Sequence, residues 1–194
     1  MYSVQGFWGL PVGTSINLAI CLTSLLALKG KSYLCRMDLL QNWEKKSQDH
    51  QKEYKRYLQR AGKNHVLRNQ QVFHEEAFEK VNCLNCANCC KNYSPRFKTP
   101  DIKRISKLLK MKEGDFIQTY LRLDEEGDYV ARSKPCPFLG DDNACSIYDQ
   151  RPSDCSRFPY TDEDVLYKRQ ALTLKNSSFC PIVYYVLEKL MTVK

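Results

Sequence analysis

Four thiols fall within eight residues at Cys83-Leu-Asn-Cys86-Ala-Asn-Cys89-Cys90, and four more follow at Cys136, Cys145, Cys155 and Cys180. Thiols three residues apart turn toward one point, because a helical or tight turn brings both onto the same side. Such knuckles supply ligand pairs to zinc, and triplets at this spacing supply iron–sulfur clusters. A single C-x-x-C step is weak; two overlapping steps and an adjacent fourth thiol, with remote cysteines to complete the coordination, point to metal. The Cys83, Cys86, Cys89 steps match the triplet of bacterial ferredoxins, where a remote cysteine closes the cluster. Zinc is equally satisfied by four thiolates in a closed tetrahedron. Ten cysteines in all would also suit disulfides. However, adjacent and three-apart cysteines make awkward disulfide frameworks, and a chain of 194 residues needs no staples to hold its core.

Cys89 and Cys90 carry a further expectation. Neighbouring side chains diverge by about 100° on a helix and point to opposite faces of a strand. The pair should therefore divide between two centres, with Cys83, Cys86 and one neighbour in the first. The other neighbour joins three of Cys136, Cys145, Cys155 and Cys180, and the leftover cysteine completes the first site. Arg151 and Arg157 flank Cys155 and are expected to act as cofactor-binding counter-charges to a dianionic centre. Helix-terminus solvation, with stacking on Tyr148 or Phe158, is the plainer alternative for both.

The rest of the chain must position these thiols. Residues 1–28 carry no charge, and residues 16–28 are largely apolar, with Lys29, Lys31 and Arg36 directly after. A signal peptide wants its positive charge before the apolar core. Gly6, Gly9, Pro11 and Gly13 leave a short run for a bilayer crossing. The expectation is a dispensable extension, 1–36, preceding a start at Met37, with Cys21 and Cys35 irrelevant to function. A membrane association is expected only if residues 1–36 are a true anchor.

From Asp38 to about Ala61 the chain is rich in helix formers, with Asp38 or Asn42 as cap and Tyr54, Tyr57, Leu58 and Ala61 on one side. A second helix is expected over 64–81, with Leu67, His74, Phe78 and Val81 on its apolar face. His50, His65 and His74 all lie in this pair and are left out of the ligand set, because eight cysteines already fill two four-ligand sites. After the knuckle, Thr99-Pro-Asp101 opens a helix with Ile102, Ile105, Leu108 and Leu109 inward. Asp115 starts another, with Phe116, Ile117, Tyr120 and Leu121. Residues 128–132 alternate like a strand, and 136–148 read as strand, turn, strand bringing Cys136 and Cys145 together. Cys155 rides a short helical turn ended by Pro159. Cys180-Pro181 leads into a C-terminal helix, whose dipole favours a thiolate at Cys180. The organisation expected is α+β and mostly helical: a small metal-stabilised domain over 82–194 with a short β-hairpin, preceded by a helical pair over 37–81.

The formal net charge of +8 raises a nucleic-acid partner. Eight bound thiolates and two divalent centres would reduce it to roughly +4, and the bases are interleaved with acids. Nucleic acid is not expected. Metal ions are the expected partners, with a protein partner or substrate beside them.

Cys83-x-x-Cys86-x-x-Cys89-Cys90, Cys136-Pro-Phe-Leu, Cys145-Ser-Ile-Tyr-Asp-Gln-Arg-Pro-Ser-Asp-Cys155-Ser-Arg-Phe-Pro and Cys180-Pro together resemble a bacterial cysteine-cluster family. This YkgJ-like family of zinc- or iron-chelating domains is often labelled iron–sulfur and includes relatives of the flagellin lysine N-methylase. The resemblance covers roughly residues 80 to 185 and implies metal binding through all eight cysteines. Methylation is not implied by it. Ala87 departs from the family's usual glycine, and Asn88, tolerant of positive φ, is expected to take the bend.

Two functions follow. One is an iron–sulfur protein of redox chemistry or protein modification, and the other a zinc-structured binding module without catalysis. No C-x-x-x-C-x-x-C of radical enzymes and no Gly-rich strand–helix loop occurs, so a self-contained cofactor-binding methyltransferase is not expected. A cytoplasmic location fits reduced thiols.

Overall fold

A computed structural model of the chain describes residues 39–193. The expectations for residues 1–36, for Cys21 and Cys35, and for Asp38 as a cap lie outside the described residues. The helix-rich segment beyond residue 42 is broken at His50 into α1 (Trp43–Asp49) and α2 (Gln51–Arg60). Asn42 stands before α1 in the left-handed region, and its side chain makes no capping bond.

Gly62 leads into α3 (Lys63–Lys80), which buries Val66, Gln70, Phe73 and Ala77. That stripe differs from the expected face of Leu67, His74, Phe78 and Val81. The partner selects the face. α3 packs on α11 (Pro181–Thr192), the most apolar helix among the described residues, buried continuously from Pro181 to Leu187. Phe78 is 41 % exposed and stands instead at the edge of the cysteine cavity.

This first core joins Tyr54, Leu58, Val66, Phe73 and Ala77 to Ile182, Val183, Val186, Leu187 and Leu190. Polar bonds fix its edges. The Tyr54 hydroxyl donates to Glu188 (2.6 Å), His50 Nδ1 lies 2.7 Å from the same carboxylate, and Lys189 pairs with Glu76 at 2.9 Å. The helical pair therefore shares its core with the C-terminal helix. The division at residue 82 separates the cysteine pattern from the helices, but it does not divide the packing.

A second core gathers Phe97, Ile102, Ile105, Phe116, Leu121, Ala131, Phe138 and Ile147. It is built from α6 (Thr99–Leu108), α7 (Glu113–Tyr120) and an antiparallel hairpin of β1 (Leu121–Leu123) and β2 (Tyr129–Ala131). Leu108, expected inward on α6, is 47 % exposed, because Ser106 and Ile105 fill the inward arc. The hairpin turn needs Gly127 at φ 80°, and the Asp124 carboxylate accepts from the N–H groups of Glu126 and Asp128.

Residues 136–148 do not form the two expected strands. They close as a loop with a single antiparallel bridge between Leu139 and Cys145. Pro135 and Pro137 remove donors from one arm, so no ladder can propagate. The domain is mostly helical α+β, as its sequence patterns indicate. Among the described residues, no helix is long and apolar enough to cross a membrane.

Candidate metal centre

The knuckle folds as two short helices. α4 (Cys83–Cys86) is capped by Asn82, whose side chain accepts from the N–H groups of Leu84 (2.9 Å) and Asn85 (3.4 Å). It stops after one turn because Ala87 enters the left-handed region (φ 46°, ψ 17°), its N–H still bonded to the Cys83 carbonyl at 2.7 Å. α5 (Asn88–Asn92) begins at once and carries Cys89 and Cys90. The bend thus falls on Ala87 and not, as expected, on Asn88. Asn88 stays helical, with its side-chain amide donating to the Phe179 carbonyl at 2.7 Å. That bond fastens the knuckle beside Cys180. An alanine there costs about 1 kcal/mol relative to a right-handed conformation.

The remaining thiols arrive from separate elements. The Cys136 N–H donates to the Cys90 carbonyl (2.8 Å), and the Ser146 N–H to the Phe138 carbonyl (2.8 Å), which lays the Cys145 arm along the Cys136 arm. Cys155 rides α8 (Ser153–Arg157). The root of α8 is Asp101 of α6, which accepts from both the N–H and the hydroxyl of Ser153 at 3.1 Å. Asp154 is buried and held by Arg96 (3.0 Å) and Lys98 (3.2 Å). Cys180 follows α10 (Gln170–Ser177), its N–H on the Asn176 carbonyl, and is the N-cap residue of α11.

All eight cysteines line one cavity of about 280 Å³. Cys83 is exposed, Cys180 is buried, and the other six lie between. An aromatic stack walls one side: Tyr93 lies 5.8 Å from Phe179, and Phe158 lies 5.9 Å from it, all nearly parallel.

The thiols sort into two groups by which neighbours they feel. Burial pushes Cys180 up to about 12, against the pull of the Ile182 and Val183 N–H groups, and its sulfur neighbours are Cys83 and Cys86. Cys89 is pushed up by its bond to Cys90, by burial, and by Cys180 and Cys83. Burial raises Cys155, whose sulfur neighbours are Cys136, Cys90 and Cys145. It also raises Cys136 to about 11, next to Cys90 and Cys145, with the Phe138 N–H opposing. Cys145 is raised likewise, with the Ile147 N–H and Arg151 opposing. Cys83 feels both Cys86 and Cys90, so the groups adjoin. They meet at Cys89 and Cys90, whose sulfurs are 3.8 Å apart, and the bond from Cys89 draws Cys90 down to about 7.

A donor set of eight thiols in a mainly apolar pocket fits a thiophilic cation. Burial keeps most of these thiols protonated, and a bound cation is what would hold them as thiolates. Among the described residues, no three His, Cys, Asp or Glu side chains are drawn together to metal-holding distance. The thiols surround the cavity at longer range.

Other residues weighed from the sequence lie as follows. Arg151 lines the cavity, its guanidinium stacked 3.9 Å over Tyr148 and bonded to that residue's carbonyl. Arg157 pairs with Glu163 and is not among the lining residues. His74 bonds Thr161 at 2.8 Å and His50 faces Glu188, so neither joins the thiols. Asp101, Asn88 and Asp154 position the site and were not legible as such. Asp101 has the sequence signature of a first-turn acid, and its bonds to Ser153 come from a residue 52 positions away.

The model of the CxxCxxCC family, "Putative zinc- or iron-chelating domain", matches residues 82–181. No curated protein and no solved structure matches the chain.

Proposed function

The chain belongs to the CxxCxxCC family, and from that premise we propose that it is a metal-binding protein holding two thiolate-ligated zinc or iron centres. Cys83, Cys86, Cys89 and Cys180 would form one, and Cys90, Cys136, Cys145 and Cys155 the other. The observation that carries this reading is geometric: the Asn88 amide ties the knuckle beside Cys180 through the Phe179 carbonyl (2.7 Å), while the Cys90 carbonyl takes the Cys136 N–H (2.8 Å), so the neighbours Cys89 and Cys90 are each tied to different remote cysteines.

The first quartet has the order of an iron–sulfur site, a C-x-x-C-x-x-C triplet with a remote Cys180-Pro181. When bound, an iron–sulfur centre would supply one-electron redox chemistry, whereas zinc would supply only structure. The chain's own residues do the positioning. Asn82 and Ala87 shape the knuckle, Asn88 brings it to Cys180, and the Cys90 carbonyl brings in Cys136. Arg151 offsets negative charge at Cys145, and the stack of Tyr93, Phe158 and Phe179 keeps water from one wall. A role in redox chemistry or protein modification, in the reducing cytoplasm, agrees with this arrangement.

The second reading is a zinc-structured binding module. It is favoured by the attachment of Cys180 to the first core and of Cys136 and Cys145 to the second, where a closed tetrahedral ion acts as a staple between elements.

Protein purified without oxygen should carry cysteine-bound metal, with iron, sulfide and a brown colour on the first reading. Stoichiometric zinc and a colourless protein would select the second. Cys89→Ser and Cys90→Ser should each cost one centre, and different ones. Full metal content in either variant, or loss of the same site in both, overturns the two-quartet assignment.

A further inference from the structure

The two quartets are built unequally. In the Cys90 quartet every thiol is partly buried, and the segments that carry them are held by hydrogen bonds. Cys136 hangs from the Cys90 carbonyl, Cys145 is bridged to Leu139, and Cys155 is rooted through Ser153 on Asp101. Arg151 also faces Cys145. Opening this quartet requires parting loops that close the second core, against which Cys136 and Cys145 pack.

The other quartet has a weak side. Cys83 is exposed, and it shares with Cys86 a helix of one turn, held locally by the side chain of Asn82. One helical turn has no stability of its own, because nucleation costs more than a single turn returns. Beside it, Leu84 (52 %) and Phe78 (41 %) leave apolar surface in water at the lip of the cavity. Elements with few tertiary bonds open first, by local unfolding far below the global free energy.

Resting on the two-centre reading, we infer that the centres have different work. The Cys90, Cys136, Cys145, Cys155 centre is the permanent clasp of the fold. The Cys83, Cys86, Cys89, Cys180 centre is exchangeable and is entered at Cys83 by an incoming thiol or chelating ligand over the apolar lip. The protein would then hold one metal for structure and present one for exchange.

The pair Cys89 and Cys90 makes this testable, since both are half-buried and simple access treats them alike. Metal-loaded protein is challenged with EDTA in the presence of N-ethylmaleimide, and alkylation is located by peptide mass spectrometry. Cys83, Cys86 and Cys89 should label at least about tenfold faster than Cys90, Cys136 and Cys145, a difference in opening of about 1.4 kcal/mol or more. Metal analysis should show one centre lost in the fast phase. Cys83→Ser, a change at an exposed position, should remove the fast-released metal and leave Cys90 protected. Labelling of all six at one rate, or of the Cys90 group first, overturns the inference while leaving the two-centre reading intact. Labelling without EDTA, in protein that binds no metal, overturns both.

Discussion

Replacing Asp101 by alanine should detach the helix that carries Cys155. The carboxylate is 2 % exposed and accepts four hydrogen bonds. These come from the Lys98 N–H (3.1 Å), the Ser153 N–H (3.1 Å), the Ser153 hydroxyl (3.1 Å) and Arg104 (2.9 Å). Alanine leaves two backbone donors without this partner, each costing about 1–3 kcal/mol, toward the lower end where water reaches them. Loss of an acid in the first turn of α6 adds about 0.5 kcal/mol through the helix dipole. The expected destabilisation is therefore about 3 kcal/mol. Asparagine keeps one acceptor oxygen and should cost about half of that. With a urea slope of about 2 kcal/mol/M, the midpoint of Asp101→Ala falls by about 1.5 M. Metal analysis on the same samples should show loss first from the Cys90, Cys136, Cys145, Cys155 centre, because α8 is what comes loose. A midpoint within about 0.25 M of the parent, or equal loss from both centres, would refute the reasoning.

At position 87, glycine relieves left-handed strain of about 1 kcal/mol but gives up a buried methyl and loosens the unfolded chain by similar amounts. Ala87→Gly should thus cost about 1 kcal/mol net in thermal melting, while Ala87→Val, β-branched at positive φ, should lose about 2 kcal/mol and much of the metal. Glu76 is held below the usual carboxylate range, chiefly by its bond to Lys189, with burial opposing and Tyr185 assisting. A depressed folded value stabilises above the unfolded pKa, and that stability is lost as pH falls through the folded one. Glu76→Gln should therefore cost about 0.5 kcal/mol at pH 7, small because the pair is partly exposed, and nothing at pH 3, as read by urea midpoints at the two pH values. His50→Ala and His74→Ala should leave metal content unchanged by elemental analysis, since their partners are Glu188 and Thr161.

What the sequence by itself determined is the spacing of the thiols that come to line the cavity, most tightly in the knuckle. C-x-x-C spacing acts over one turn of backbone, so the knuckle at Cys83–Cys90 could be read without knowing what surrounds it. The same holds for α6 and α11, whose first-turn prolines are local signals. Tertiary structure alone decided everything that depends on distant partners. Which face of α3 is buried was set by α11, more than a hundred residues away, and not by the helix's own pattern. The bend at Ala87 depended on Asn88 being engaged by the Phe179 carbonyl, 91 positions on. The arrival of Cys136 and Cys155 at the cavity depended on the Cys90–Cys136 backbone bond and the Asp101 bond to Ser153. Arg157 looked equivalent to Arg151 in sequence, yet Glu163 takes it from the cavity edge. Spacing constrains residues within a turn of each other, whereas closure of long loops is governed by the two cores, and those exist only once the chain is folded.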